Sequence, residues 1–224
     1  MPYLIASDYH NTLAARVDGG YRVSREVEDA VIEYAKAGGL FAVVTSGTHR
    51  HVSLDRLRGF IIIAIENGLV VEMPGSGKAL LEPPGWRRVR EEVSAFLSSR
   101  GVPHYLGESS VFVDDARGVL EPMEGELRGL GVRVEWNRRS AALMPLGFDK
   151  GAAIRFLRGL LSPEAVVAVG DAENDIPMLR EADVPVAVGN AEPAVKAVAK
   201  RVVREDGLGV IDVLNMVREW GKAF

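Results

Sequence analysis

Three aspartates and one lysine in this sequence have the types and positions that suit chemistry on a phosphate group. Asp8 follows the first apolar segment, whereas Asp171 and Asp175 flank a polar cluster late in the chain. Carboxylates are protein ligands that Mg²⁺ prefers, usually together with water and substrate phosphate. A carboxylate also attacks phosphorus as a nucleophile, while a metal ion, Lys150 and nearby hydroxyl groups offset the charge of the transition state. This set of residues therefore predicts magnesium-assisted phosphoryl transfer.

Each polar cluster follows a short, continuously apolar segment. The segments span residues 3–7, 40–44 and 166–169. Continuous apolar runs separated by helical patterns are typical of parallel strands that are covered on both faces. The carboxyl ends of such strands meet at one edge of the sheet, where ligands bind. The pattern therefore predicts that the aspartates lie in one crevice with the hydroxyl groups of Thr45 and Ser46.

Helical patterns alternate with the apolar segments in the first and last parts of the chain. Helices are predicted over residues 24–37, 149–161, 175–182, 193–199 and 210–221. Further strands are predicted over residues 60–65, 184–188 and 201–203. Alternation of strands and helices is typical of an α/β fold with a doubly wound, Rossmann-like parallel sheet. This is the fold class that we predict.

The middle of the chain has a different pattern, with clusters of proline and glycine at its start. Short strand patterns at residues 111–115, 132–136 and 140–145 are interleaved with helical patterns at residues 86–100 and 121–130. Mixed short elements of this kind predict a small α+β unit inserted into the sheet domain. The predicted organisation is a core of residues 1–79 and 147–224, with an inserted α+β cap over residues 80–146.

The composition excludes several classes of function. The 224 residues carry a net charge of −4 and include no cysteine, which excludes disulfides and thiolate chemistry. A mildly acidic chain has no broad surface for nucleic acid or anionic membranes. The longest strongly apolar run, residues 60–65, is too short to cross a bilayer, and the N-terminus lacks a signal-peptide pattern. We therefore expect a cytoplasmic protein without nucleic-acid or membrane partners.

Four motifs in a fixed order carry a family resemblance. They are, in chain order, Asp8 to Thr12, Ser46 with Gly47, Lys150, and residues 170–175. The set resembles the four signatures of the haloacid dehalogenase superfamily, and in particular its branch of archaeal phosphoglycolate phosphatases and sugar-phosphate phosphatases. Residues 65–68 and 188–191 also resemble segments of that branch. The predicted insert falls where this branch carries an α/β cap.

The resemblance implies a role for each matching residue. Asp8 would be the nucleophile and a magnesium ligand. Ser46 and Lys150 would bind the transferring phosphoryl group. Asp171 and Asp175 would complete the metal site.

Other polar residues near these motifs are candidates for supporting roles. The resemblance implies that Thr12 supports the first motif loop and that Asn174 and Asn190 contact the substrate or the residues around it. Thr45 competes with Ser46 for the phosphate contact, and the place of Ser46 in its motif favours Ser46.

His10 departs from the family pattern, which has a second aspartate at this position as the acid–base group. The resemblance implies that the position also contributes to the metal site, through its main-chain carbonyl. Imidazole can move a proton near neutral pH, although a neighbouring magnesium ion disfavours its charged form. We expect His10 to be catalytic, with a lower rate or a narrower substrate range than an aspartate gives. A passive substitute and a sign of a different ligand are the alternatives.

The implied function is that of a magnesium-dependent phosphomonoesterase that acts through an aspartyl-phosphate. The expected partner is a small phosphorylated metabolite, with phosphoglycolate favoured and a homodimer as a possible assembly. A phosphate-metabolite binding protein, impaired in catalysis by His10, is the first alternative. A phosphomutase is the second.

Overall fold

The fold contains a large sheet, a smaller sheet and a short hairpin. The computed structural model describes residues 2–137 and 139–220. The strands are β1 (Leu4–Ser7), β2 (Ala15–Val17), β3 (Gly20–Arg22), β4 (Leu40–Val44), β5 (Ile62–Ile65), β6 (Val70–Met73), β7 (Gly77–Leu80), β8 (Tyr105–Leu106), β9 (Val111–Val113), β10 (Val132–Asn137), β11 (Ser140–Pro145), β12 (Val166–Gly170), β13 (Val184–Ala187) and β14 (Arg201–Val202).

The large sheet has eight strands in the order β14-β13-β12-β1-β4-β5-β6-β7. Strands β14 to β5 are parallel, and β1 lies between β12 and β4. Ser7 at the end of β1 pairs with Val43 and Val169, so the three strands finish at the same level. The α/β fold with a doubly wound parallel sheet is confirmed, with one addition. Strands β6 and β7 extend it as an antiparallel edge, because short turns join them to β5.

Helices pack on both sheets, with α2 and α3 on the smaller sheet and the others on the large one, and they follow the apolar periodicity of the sequence. They are α1 (Arg25–Lys36), α2 (Trp86–Ser99), α3 (Glu124–Gly129), α4 (Lys150–Leu161), α5 (Ile176–Glu181), α6 (Pro193–Val198) and α7 (Asp206–Trp220). Helix α1 begins where the Ser24 hydroxyl accepts a hydrogen bond from the amide of Val27 at 3.3 Å. Its apolar face buries Val27, Val31 and Tyr34. No helix within residues 2–137 and 139–220 is long and apolar enough to cross a membrane.

The smaller sheet has four antiparallel strands in the order β10-β11-β9-β8. It has a hydrophobic core of its own, which includes Trp86, Val93 and Leu97 from α2. Its strands lie between residues 105 and 145, and Leu80 is the last residue of β7 in the large sheet. The division into a core of residues 1–79 and 147–224 and a cap of residues 80–146 stays a prediction.

Several local elements differ from the sequence prediction. Strand β5 begins at Ile62 rather than Phe60, because the two preceding residues form a turn on Leu57. The predicted helix over residues 210–221 begins earlier, at Asp206, and its last predicted residue lies outside the described part of the chain. The hairpins β2–β3 and β6–β7 were not predicted. Both are made of strands of three or four residues, which are too short for a periodic pattern to stand out.

Candidate active site

Asp8 lies at the carboxyl end of the central strand β1. Its amide donates a hydrogen bond to the carbonyl of Val169 at 2.9 Å, which continues the pairing of β1 with β12 beyond the last strand residue. The Ser7 hydroxyl donates to the carbonyl of Asp8 at 2.8 Å. The side chain of Asp8 is buried, with 5% of the residue exposed. The sheet therefore holds this carboxylate where β1, β4 and β12 end together.

Lys150 joins two of the aspartates through its ammonium group. It is the first residue of α4, whose N-terminus is capped by the Asp149 carboxylate on the amide of Ala152 at 3.0 Å. Its Nζ donates to Asp8 Oδ1 at 2.6 Å and to Asp175 Oδ1 at 2.5 Å. The lysine is fully buried, so this pairing is what makes its charge tolerable in the interior.

The loop after β12 presents Asp171 and Asp175 to the same point. Asp175 Oδ2 accepts hydrogen bonds from the amides of Asp171 at 2.9 Å and Ala172 at 3.1 Å, which fixes the turn between them. The carboxylate of Asp171 accepts hydrogen bonds from the Thr12 hydroxyl at 3.1 Å and the Asn11 amide at 3.4 Å. Thr12 therefore ties the loop after β1 to the loop after β12.

The charge of this cluster fits a divalent cation. One oxygen from each of Asp8, Asp171 and Asp175 lies within 4.8 Å of the others, and among the described residues the ammonium group of Lys150 is the one cation that pairs with them. Burial, and then repulsion by the neighbouring carboxylates, raises the pKa of Asp8 to about 7 although Lys150 acts to lower it. The same causes raise the pKa of Asp171 to about 6. Hard oxygen ligands with excess negative charge are the donor set that Mg²⁺ takes.

We expect the metal-free protein to lose stability as the pH rises from about 4 to about 7. Over this range the unfolded chain has released the protons of Asp8 and Asp171, whereas the folded protein retains them because burial raises both pKa values. The free energy of unfolding therefore falls with pH, and a bound divalent cation should remove the fall by favouring the ionised carboxylates.

Urea denaturation at about pH 5 and about pH 8, in EDTA and in Mg²⁺, measures this effect. The expected result is a lower free energy of unfolding at the higher pH in EDTA alone. Equal pH dependence in EDTA and in Mg²⁺ would show that the three aspartates do not bind the ion.

A cavity of about 270 Å³ opens beside the aspartates, between the large and small sheets. Residues of the large-sheet side that line it include Asp8, His10, Ser46, Asp171 and Asn174. Residues of the small-sheet side that line it include Tyr105, Phe112, Asp114, Glu135 and Asn137. The second group was not predicted. The sequence indicated strands there, but it did not indicate which face of the small sheet meets the large one.

Ser46 and Thr45, the two hydroxyl candidates after β4, point in different directions. Thr45 is fully buried, and its hydroxyl accepts a hydrogen bond from the amide of Gly47 at 3.2 Å. Ser46 lines the cavity, where its hydroxyl accepts a hydrogen bond from the Asn137 side chain at 3.3 Å. Ser46 is thus the one placed to meet a ligand, and Asn137 of the small sheet already contacts it.

His10 lines the cavity two residues after Asp8. Its ring packs edgewise against Tyr9, with ring centroids 4.9 Å apart, and against Tyr21 at 4.6 Å. Tyr21 comes from the β2–β3 hairpin and also lines the cavity, which the sequence did not predict. The side chain of His10 is not part of the group of carboxylates around Asp8. A metal contact through its main chain stays a prediction.

The remaining predicted residues lie at the edge of the site or behind it. Asn174 lines the cavity beside Asp171. Asn190 lies behind the loop after β1, where its side chain donates to the carbonyl of Asn11 at 2.8 Å and accepts from the amide of Asp206 at 3.3 Å. Asn190 therefore connects the loop after β1 to the start of α7 through hydrogen bonds.

Comparison with known proteins agrees with this architecture. A family model described as haloacid dehalogenase-like hydrolase matches residues 110–214. The chain is 30% identical to a phosphoglycolate phosphatase of Sulfurisphaera tokodaii over 218 residues, which is 96% of this chain and 93% of that protein. It is 32% identical to phosphoglycolate phosphatase 2 of Saccharolobus solfataricus over 219 residues, which is 96% of this chain and 91% of that protein.

Solved structures show the same fold. The crystal structure of a haloacid dehalogenase-like hydrolase from Bacteroides thetaiotaomicron superposes with a TM-score of 0.79 at 19% identity, covering 97% of this chain and 100% of that chain. The four motifs, the fold and the two relatives at 30% and 32% identity over almost the whole chain point to one family. The chain therefore belongs to the haloacid dehalogenase-like hydrolase family and is a phosphatase.

Proposed function

We propose that the chain is a magnesium-dependent phosphomonoesterase that passes the phosphoryl group first to Asp8 and then to water. The observation that supports this most strongly is the buried cluster in which Lys150 bridges Asp8 and Asp175 beside Asp171. There the carboxylate at the end of the central strand lines the cavity and contacts the ammonium group that also holds Asp175.

Each side chain has a role in this proposal. A carboxylate oxygen of Asp8 forms a bond to phosphorus while the ester bond breaks, and His10 gives a proton to the leaving oxygen. Water then attacks phosphorus, His10 takes its proton, and the bond to Asp8 breaks with release of phosphate. Ser46 and Lys150 hold the oxygens of the phosphoryl group. Magnesium, when bound, would offset the charge that develops on these oxygens.

The ligands of that ion would be the carboxylates of Asp8, Asp171 and Asp175. One oxygen of each lies within 4.8 Å of the others, and their negative charge exceeds the positive charge of Lys150. The main-chain carbonyl of His10 is proposed as a further ligand. Asn174 lies at the substrate side of the group. Residues 80–146 are proposed as a cap, since residues of the small sheet within them line the cavity. Such a cap would exclude water from the reaction.

A small phosphorylated metabolite fits a cavity of this size, and the relatives favour phosphoglycolate. The leaving group would face the small-sheet residues Tyr105, Phe112 and Asn137. These residues therefore select the substrate in this proposal. A cytoplasmic location and a homodimer remain predictions.

Phosphate release from a panel that includes phosphoglycolate and p-nitrophenyl phosphate tests the proposal. We expect release that requires Mg²⁺ and stops in EDTA, because the three carboxylates repel one another and the substrate without the ion. Magnesium-dependent binding without release would instead support the non-catalytic alternative. Transfer to a sugar in place of water would support a phosphomutase.

A further inference from the structure

Glu66 is a fully buried glutamate with no role in the proposed mechanism. It follows β5 and begins a turn, Glu66–Gly68, in which three successive residues have positive φ angles of 53°, 58° and 90°. This conformation is unfavourable for residues that carry a Cβ, so Glu66 and Asn67 adopt it only where surrounding contacts hold them. The turn is therefore a strained element with contacts on both sides.

On one side, the backbone of the turn supports the loop that carries Ser46. The amide of Glu66 donates to the carbonyl of Gly47 at 3.0 Å, and the amide of Asn67 donates to the carbonyl of Thr45 at 2.8 Å. These two carbonyl groups belong to the residues on either side of Ser46. The position of the Ser46 hydroxyl thus depends on the turn.

On the other side, the carboxylate of Glu66 holds the loop between β8 and β9. Its Oε1 accepts a hydrogen bond from the amide of Glu108 at 2.6 Å. Its Oε2 accepts from the amides of Ser109 at 2.9 Å and Ser110 at 2.7 Å. Three backbone donors on one buried carboxylate make a strong, directional contact. A side-chain carbon at Gly107 would overlap with this carboxylate, so the loop lies directly against it.

The loop that Glu66 holds connects two aromatic residues of the small sheet that line the cavity. Tyr105 and Phe112 pair across β8 and β9, and their rings stack with centroids 5.2 Å apart and planes 14° apart. Both residues line the cavity that Asp8 also lines. Glu66 therefore makes two sets of contacts. Its backbone contacts the loop that carries Ser46, and its carboxylate contacts the loop between Tyr105 and Phe112.

We propose that Glu66 is a positioning residue that sets the distance between Ser46 and the aromatic wall formed by Tyr105 and Phe112. This distance determines which leaving groups fit between the phosphate position and the wall. The inference rests on the proposed phosphatase function, because the wall is assigned to the leaving group on that basis.

The substitution Glu66→Gln tests the inference with two substrates. Glutamine has the same shape, but its amide nitrogen is a donor and faces a backbone donor, so at least one hydrogen bond to the loop is lost. For p-nitrophenyl phosphate, whose ring would face the aromatic wall in the proposed site, we expect KM to rise about tenfold to a hundredfold. For acetyl phosphate, whose leaving group is small, we expect kcat and KM to change less than about twofold.

Hydrogen exchange gives a readout that does not depend on activity. The amides of Glu108, Ser109 and Ser110 should exchange more than about tenfold faster in Glu66→Gln. Gly107→Ala, which pushes the loop away from the carboxylate, should give the same split between substrates. Asp183→Asn is the matched control, because Asp183 also accepts a backbone amide, from Val166 at 2.8 Å, but at the far side of the large sheet.

The outcomes separate this inference from the proposed function. Equal losses with both substrates, or unchanged exchange of the three loop amides, would overturn the positioning role. If the unmodified protein hydrolyses neither substrate, the proposed function fails, and exchange of the loop amides still decides whether Glu66 holds the loop. If Glu66→Gln does not fold, Gly107→Ala and the exchange of the unmodified protein decide. In that protein the three amides must be among the slowest of the small sheet.

Discussion

Replacement of Asp8 by Asn is expected to lower phosphate release by on the order of 10⁴-fold or more. The amide keeps the shape of the side chain and its oxygen still accepts the hydrogen bond that Lys150 donates at 2.6 Å to Oδ1. It lacks the charged oxygen that would bond to phosphorus, and it removes one of the three carboxylates around the ion. Both losses act on the transition state, so kcat should fall far more than KM changes.

The loss should not arise from unfolding. Without metal, Asp8→Asn removes a buried carboxylate whose pKa is raised by burial, so the variant should be at least as stable as the unmodified protein at about pH 8. Asp29→Asn is the matched control, since Asp29 pairs with Arg56 on the surface of α1 and should leave turnover unchanged. Steady-state release of phosphate in Mg²⁺ and urea denaturation in EDTA measure the two effects. If Asp8→Asn retained full activity, Asp8 would not be the nucleophile.

Replacement of His10 by Asn is expected to lower kcat by on the order of 10²-fold, the lower end of what a proton-transfer group contributes. Asparagine preserves a polar side chain between Tyr9 and Tyr21 but cannot carry a proton to the leaving oxygen. His10→Asp restores the residue type that the family carries at this position. It should release phosphate at least as fast as the unmodified protein.

Comparison of substrates with good and poor leaving groups makes the His10 test specific. The deficit of His10→Asn should be small with p-nitrophenyl phosphate, whose leaving group needs little protonation, and large with an alkyl phosphate. His104→Asn is the control. The ring of His104 forms hydrogen bonds with Ser94 and with the carbonyl of Val102 on the small-sheet side, and His104 does not line the cavity. Equal rates for His10→Asn and the unmodified protein would mean that His10 is a passive substitute.

The strand-end motifs were predictable because they depend on local sequence. Continuous apolar runs such as Leu40–Val44 are buried on both faces of the sheet, and their carboxyl ends therefore meet at one edge. This rule predicts that Asp8, Ser46 and Asp171 lie in one crevice, and all three line the cavity. Lys150 forms an ion pair with Asp8 although 142 residues separate the two in the sequence.

Short elements without a clear period were not predictable. Hairpin β2–β3 brings Tyr21 against His10, yet each of its strands has only three residues. The antiparallel edge of β6 and β7 was not predictable for a similar reason, because each of its strands has only four residues. A turn between short strands sets their direction, and apolar content alone does not distinguish a parallel neighbour from an antiparallel one.

The sequence by itself determined the fold class, the order of the motifs and the aspartates that lie together beside Lys150. These follow from burial and from residue chemistry, which are local properties of each segment. Only the tertiary structure decided which face of the small sheet meets the cavity, and so which residues, such as Phe112 and Asn137, line it. It also decided that Glu66 reaches Ser110, 44 residues away. Such contacts depend on how two separately packed cores dock, and no periodic pattern within either segment encodes that arrangement.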